Sequence, residues 1–171
     1  VQKVHSRPTP RVGGLAVAGG LLAGWFFIPS SAQPFWAITL LALVPAFGAG
    51  LVEDITRAVR PRWRLLATLV SGLIFWSLTG YGIDRLGWGP LNWIADVPVL
   101  VAALTMFGFA ATANATNLVD GFHGLASAST AFMAAGLAGI AWTVGDGEIF
   151  ACALLLVSAI GGFFLINYPY G

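Results

Sequence analysis

Charged side chains divide this sequence into apolar blocks of membrane-spanning length. A spanning helix needs about 20 mostly apolar residues, within a range of about 17–25. After Arg11 no Asp, Glu, Lys or Arg occurs until Glu53, too long a stretch for one crossing. Pro29-Ser30-Ser31 with Pro34 breaks it in two. The pattern predicts spans at about 13–28, 35–52, 63–82, 97–117, 124–144 and 149–167. The fold class is then all-α: one integral-membrane domain over 1–171, a polytopic helix bundle with six transmembrane helices. Residues 83–95 (IDRLGWGPLNWIA) place Gly-Pro between aromatic runs and predict a small hairpin lying on the membrane interface. Neither a heptad pattern nor an internal repeat emerges.

Six crossings alternate sides. Segments 1–12, 53–62, 118–123 and 168–171 then share one face, and 29–34, 83–96 and 145–148 the other. The first face, with the start of the third span, carries Lys3, Arg7, Arg11, Arg57, Arg60, Arg62 and Arg64; the second carries only Arg85. This bias makes the first face cytoplasmic by the positive-inside rule. Trp25, Trp36, Trp88, Trp93 and Trp142 fall near the opposite ends of the spans, as an aromatic belt requires.

Composition sharpens the class. Of 171 residues, 58% are hydrophobic and 9% charged, against roughly 25% charged in soluble domains. So few charges cannot cover a water-facing surface, which argues against a soluble globule, a disordered tail and a nucleic-acid binder using a basic patch. A net charge of +1 gives no global field to recruit a polyanion. Cys152, the single cysteine, allows neither an internal disulfide nor a cysteine metal site. A start at Val1 and an end just after an apolar block read as a piece of a longer membrane protein, and no signal-peptide pattern is present.

Candidate chemistry collects on the cytoplasmic side. Lys3-Val4-His5-Ser6-Arg7-Pro8-Thr9-Pro10-Arg11-Val12-Gly13-Gly14 combines cations with two stiffening prolines and a Gly pair. It suits phosphate contact, or a juxtamembrane anchor to anionic lipid. Glu53-Asp54-Ile55-Thr56-Arg57 sets adjacent carboxylates at a span's end, where a cation must hold them, either a bound ion or a nearby arginine. Asn114, Asn117 and Asp120, three residues apart, lie on one side of a helix that Gly121 and Gly124 then open, with His123 between them. Such a stripe faces a polar cleft or forms a hydrogen-bond cluster that binds the bundle together. Carboxylates, amides and cations on one membrane face could hold a hard divalent ion and handle phosphate.

At these residues the sequence resembles the polyprenyl-phosphate N-acetylhexosamine-1-phosphate transferases, glycosyltransferase family 4. Pro8-Thr9-Pro10-Arg11-Val12-Gly13-Gly14 matches that family's PTPxxGG segment. Glu53-Asp54 sits at its Asp-Asp pair, with Arg57 at a following Lys. Residues 114–125 match NxxNxxDGxDGL, and Asn167-Tyr168-Pro169 resembles its Asn-x-Pro. The resemblance implies transfer of N-acetylhexosamine 1-phosphate from a UDP-sugar to undecaprenyl phosphate, releasing UMP, at the start of surface polysaccharide or cell-wall glycan assembly. It implies Mg²⁺ (or Mn²⁺) held by Asp54 and Asp120, with Asp54, Glu53 and Asp120 catalytic. Substrate contacts fall to Lys3, His5, Arg7, Thr9, Arg11, Arg57, Asn114, Asn117, Gly121 and His123. The expected partners are the UDP-sugar, undecaprenyl phosphate and membrane lipids, with no nucleic acid and a homodimer left open. The expected location is the bacterial inner membrane, with the active face cytoplasmic.

Two departures bear on the donor. Glu53 replaces the first Asp, and His123 replaces the second Asp of DGxDG, near the uracil; together they point toward the surface-polysaccharide branch. Family members are roughly twice this length, with a further catalytic Asp and a His-containing loop beyond residue 171, so this chain alone is expected to be inactive. The rival readings are a transporter or channel piece, which would place its polar groups near mid-membrane, and a non-catalytic relative.

Overall fold

The computed structural model describes residues 13–119 and 124–168. Among the described residues the regular structure is all helical: α1 (Gly13–Ala23), α2 (Gln33–Thr56), α3 (Pro61–Thr79), α4 (Pro98–Val119), α5 (Leu125–Val144) and α6 (Gly147–Asn167), with short 3₁₀ pieces at Gly24–Phe26 and Gly89–Asp96. Four of these, α2, α4, α5 and α6 (as Gly147–Ile166), are long and apolar enough to cross a membrane by length and composition. The 19-residue α3 carries Arg62 and Arg64 in its first turn, and Gly13–Phe26 is a shorter apolar stretch.

Local chemistry sets the helix ends. Pro34 and Pro61 open α2 and α3 in the first turn, where a missing N–H costs nothing. Asp146 caps α6 by accepting from the Ile149 N–H at 3.0 Å. Gly80, at φ 71°, ends α3 with its N–H donated to the Trp76 carbonyl.

The chain forms two compact units, one spanning 30–119 and the other combining 1–29 with 120–171. In the first, α3 packs against both α2 and α4. The pairings run antiparallel. On the α2 side, the Ala46 N–H donates to Ser71 Oγ at 3.2 Å, and two turns on Arg64 meets Glu53. On the α4 side, Gly72 backs onto Met106, and Gly82 lies beside Val101 and Thr105. A Cβ at Gly72 would fall 2.8 Å from Met106 Cα, so glycine is what permits the two backbones to approach this closely.

Pro45 sits inside α2 and interrupts its hydrogen-bond ladder. The fully buried Ser71 hydroxyl accepts the N–H of the next residue, Ala46, from the neighbouring helix. In the second unit α6 packs against α5 and α1. Gly20 meets Ala159 and Gly24 meets Leu155 along the α1–α6 seam, and Trp142 packs on Phe150 between α5 and α6.

The buried positions are mostly small: Ala42, Ser71, Ala102, Thr105, Ala110, Ala134, Ala138, Ala141 and Ala153. Large apolar side chains such as Leu41, Phe107, Phe132 and Leu165 point outward. That inversion of a soluble core is what a lipid solvent selects.

The segment between α3 and α4 corrects one expectation. It is not a hairpin: residues 80–88 are irregular and Gly89–Asp96 is a 3₁₀ turn. Pro90 fixes a helical φ at the start of that turn, and the Trp88 and Ile94 carbonyls accept from the Leu91 and Val97 N–H groups. The strap is tied to α4 instead of to a second strand. The Ile83 N–H donates to Thr105 Oγ1 at 2.9 Å, and that hydroxyl donates to the Val101 carbonyl.

Candidate functional site

The expected carboxylate pair lies inside the last turn of α2, which continues to Thr56. A helix C-terminus is the negative end of the backbone dipole, so two adjacent carboxylates there need cations. Glu53 finds one on the next helix: Arg64 Nη1 lies 3.0 Å from Glu53 Oε2. That oxygen is closed off from solvent and receives no hydrogen bond among the described residues, so the contact is an ion pair without hydrogen-bond alignment. Successive helical residues diverge by about 100°. Asp54 accordingly leaves the α2–α3 seam, stands exposed and has no ion-pair or hydrogen-bond partner among the described residues.

Arg57 closes α2 in the left-handed conformation at φ 54°, its N–H donating to the Glu53 carbonyl at 2.7 Å. It is the one non-glycine residue with positive φ among the described residues. Arg57, Arg60 and Arg62 are exposed around the α2–α3 turn.

The amides come from α4. Moving two turns from the Gly72–Met106 contact toward the α2–α3 turn brings α3 to Arg64 and Leu65 and α4 to Ala113 and Asn114. Asn114 therefore stands at the level of the Glu53–Arg64 pair, and Asn117 lies one turn nearer the helix end. Both are exposed, and Asn114 Nδ2 donates to the Ala110 carbonyl at 2.7 Å. Within this unit, then, one end gathers Glu53, Asp54, Arg57 and Arg64 with the amide stripe of α4.

Lys3, His5, Arg7, Thr9, Arg11, Asp120, Gly121 and His123 lie outside the described residues. Of the expected metal pair, Asp54 alone is described. Among the described residues no group of three or more His, Cys, Asp or Glu could hold a metal ion.

The motifs did not single out Arg64 as Glu53's partner. The clue was present: a four-residue connection between antiparallel helices puts residues equally far on either side of the turn opposite each other. Ser71 and Thr105 were missed altogether, because a lone hydroxyl in an apolar block gives no periodic signal.

Comparison with known proteins finds relatives of this chain. The model of glycosyl transferase family 4 matches residues 36–171. A phospho-N-acetylmuramoyl-pentapeptide-transferase from Moorella thermoacetica is 29% identical over 177 aligned positions, covering 94% of this chain and 53% of its own. The chain thus spans about half the length of this curated relative. No solved structure matches. The family model covers α2 through α6, both asparagines and the carboxylate pair, and the chain belongs to glycosyl transferase family 4.

Proposed function

We propose that this chain carries part of the site of a membrane transferase that moves a sugar 1-phosphate from a UDP-sugar to a polyprenyl phosphate, undecaprenyl phosphate in bacteria. The observation that carries the reading is the clustering, at one end of a single helical unit, of an exposed carboxylate, exposed amides and arginines in a chain of this family. An oxygen of the acceptor phosphate attacks the donor phosphorus that bears the sugar, and UMP leaves with the bridging oxygen. Asp54 accepts or orients the acceptor's proton. Arg57 attracts phosphate charge, and Asn114 and Asn117 contact the nucleotide-sugar.

The donor set suits Mg²⁺, which is commonly bound by one or two carboxylates together with substrate phosphates instead of by a full protein cage. Asp54 offers an exposed hard-oxygen ligand of that kind, with Asp120 as the second by resemblance. The ion would neutralise charge on the donor's pyrophosphate. Mn²⁺ satisfies the same ligands. The site lies on the cytoplasmic face in this reading, and the acceptor's chain lies along the apolar outer faces of the helices.

The test is UMP release by the full-length protein in detergent, with undecaprenyl phosphate and a panel of donors, with and without Mg²⁺. The panel holds UDP-N-acetylhexosamines and, because of the Moorella relative's name, a UDP-linked N-acetylmuramoyl-pentapeptide. Metal-dependent turnover with at least one donor is expected. Asp54→Asn and Asp120→Asn should each abolish it. Near-normal rates in either variant would show the site to be misplaced, and silence with every donor would favour a non-catalytic relative or a transporter.

A further inference from the structure

The paired and unpaired carboxylates at the end of α2 divide the work of that turn. Resting on the transferase reading, we propose that Arg64 is a positioning residue: it draws the Glu53 carboxylate into the α2–α3 seam and thereby fixes the direction in which Asp54 is presented. Three observations converge. Glu53 Oε2 is shut off from solvent with Arg64 Nη1 at 3.0 Å, so this oxygen is engaged by protein. Asp54, the next residue, is exposed and unpaired among the described residues. The turn carrying both ends at once on the left-handed Arg57, so no further helix stiffens it from the C-terminal side.

Carboxylates at the negative end of a helix are repelled by its dipole, which loosens the last turn. Neutralising one against a cation on the neighbouring helix removes that repulsion and sets the rotation of α2. Because successive residues are fixed in angle on a helix, holding Glu53 holds Asp54. The glutamate side chain, one methylene longer than aspartate, has the reach to meet Arg64 across the seam. On α4, Asn114 stands at the same level, so the held turn borders the amide stripe.

The experiment uses the full-length protein in detergent, with a donor that the wild type turns over, and with melting curves to establish that each variant is folded at the assay temperature. Arg64→Ala and Glu53→Ala are each expected to lower kcat by about tenfold or more, the size of a small misplacement of a reacting group. KM for both substrates should stay within about twofold, since neither side chain binds them. The double alanine variant should be no worse than about twofold below the poorer single one, because both remove the same contact. The reciprocal exchange, Glu53→Arg with Arg64→Glu, should restore most of the lost kcat, and Arg64→Lys should retain more than Arg64→Ala.

Failure of the exchange to rescue, with each variant folded, would overturn the proposal and return Glu53 to direct chemistry. A rise in KM for the polyprenyl phosphate in Arg64→Ala would overturn it in favour of a phosphate contact. Unchanged kcat in folded Arg64→Ala would overturn it in favour of a purely structural pair. A wild-type protein inactive with every donor would remove the transferase reading itself, and this proposal with it.

Discussion

Arg57 occupies a backbone conformation that costs a side chain of its kind about 1 kcal/mol or more relative to glycine. A helix ending this way ordinarily uses Gly or Asn at that place. On the transferase reading, that strain is borne for the guanidinium, which stands exposed at the end of α2, three residues along the chain from Asp54. Arg57→Gly should therefore stabilise the folded protein, by up to about 1 kcal/mol, while lowering transferase activity. Thermal melting in detergent and initial rates check the two halves separately. A variant that melts higher and works as well would show that the cation has no part in the reaction. At this scale the sequence was partly legible. Glu53, Asp54 and Arg57 stand out because charges are so few, 9% of all residues, that each one near a span's end needs a reason. The ion pair with Arg64 was not legible as a specific contact, since three arginines at 60, 62 and 64 compete on paper and helical phase and register decide among them.

Helices were the most legible elements, because apolar blocks between charges measure their own length. The second expected span, 35–52, lies within a longer helix, Gln33–Thr56. A proline and a pair of charges bound the apolar block, and the helix runs past both, with Glu53 and Asp54 inside its last turn. The strap between α3 and α4 departs from the expected hairpin for a different reason. Gly-Pro between aromatic residues suits a hairpin turn, but strands need partners, and Thr105 of α4 takes the strap's Ile83 N–H instead. That tertiary hydrogen bond has no local signature. It also yields a prediction. Thr105 is 3% exposed, and its hydroxyl both accepts from Ile83 and donates to Val101. Thr105→Val keeps the shape and removes the acceptor of the Ile83 N–H, a hydrogen bond worth about 0.5–1.5 kcal/mol. Thr105→Ser keeps the bond and should cost less. Melting temperature should follow that order, and hydrogen exchange at Ile83 should accelerate in the valine variant alone. Equal melting for both would mean that water reaches Ile83 in the strap.

The whole molecule must also have a direction in the membrane, and here basic residues carry the argument. In the unit 30–119, Arg57, Arg60, Arg62 and Arg64 lie in or beside the α2–α3 turn, and Arg85 alone lies in the strap. Within the unit 30–119, antiparallel packing of α2, α3 and α4 puts the α2–α3 turn and the strap at opposite ends. The turn carries Arg57, Arg60 and Arg62 and the strap carries Arg85, Trp88 and Trp93, so the two ends differ in both charge and aromatic content. If a nucleotide-sugar is the donor, the carboxylate end must face the compartment that contains nucleotides. The positive-inside rule assigns it to the same compartment on independent grounds. A single cysteine placed at Ala58, in a Cys152→Ser background, should be protected in intact cells from a thiol reagent that cannot cross the membrane, and should react once the membrane is opened. A cysteine at Gly87 should react in intact cells. Both positions are exposed in the fold, so a difference between them reports sidedness and not burial. The reverse pattern would put Asp54 on the side without nucleotides, and a transferase using UDP-sugars could not work from there.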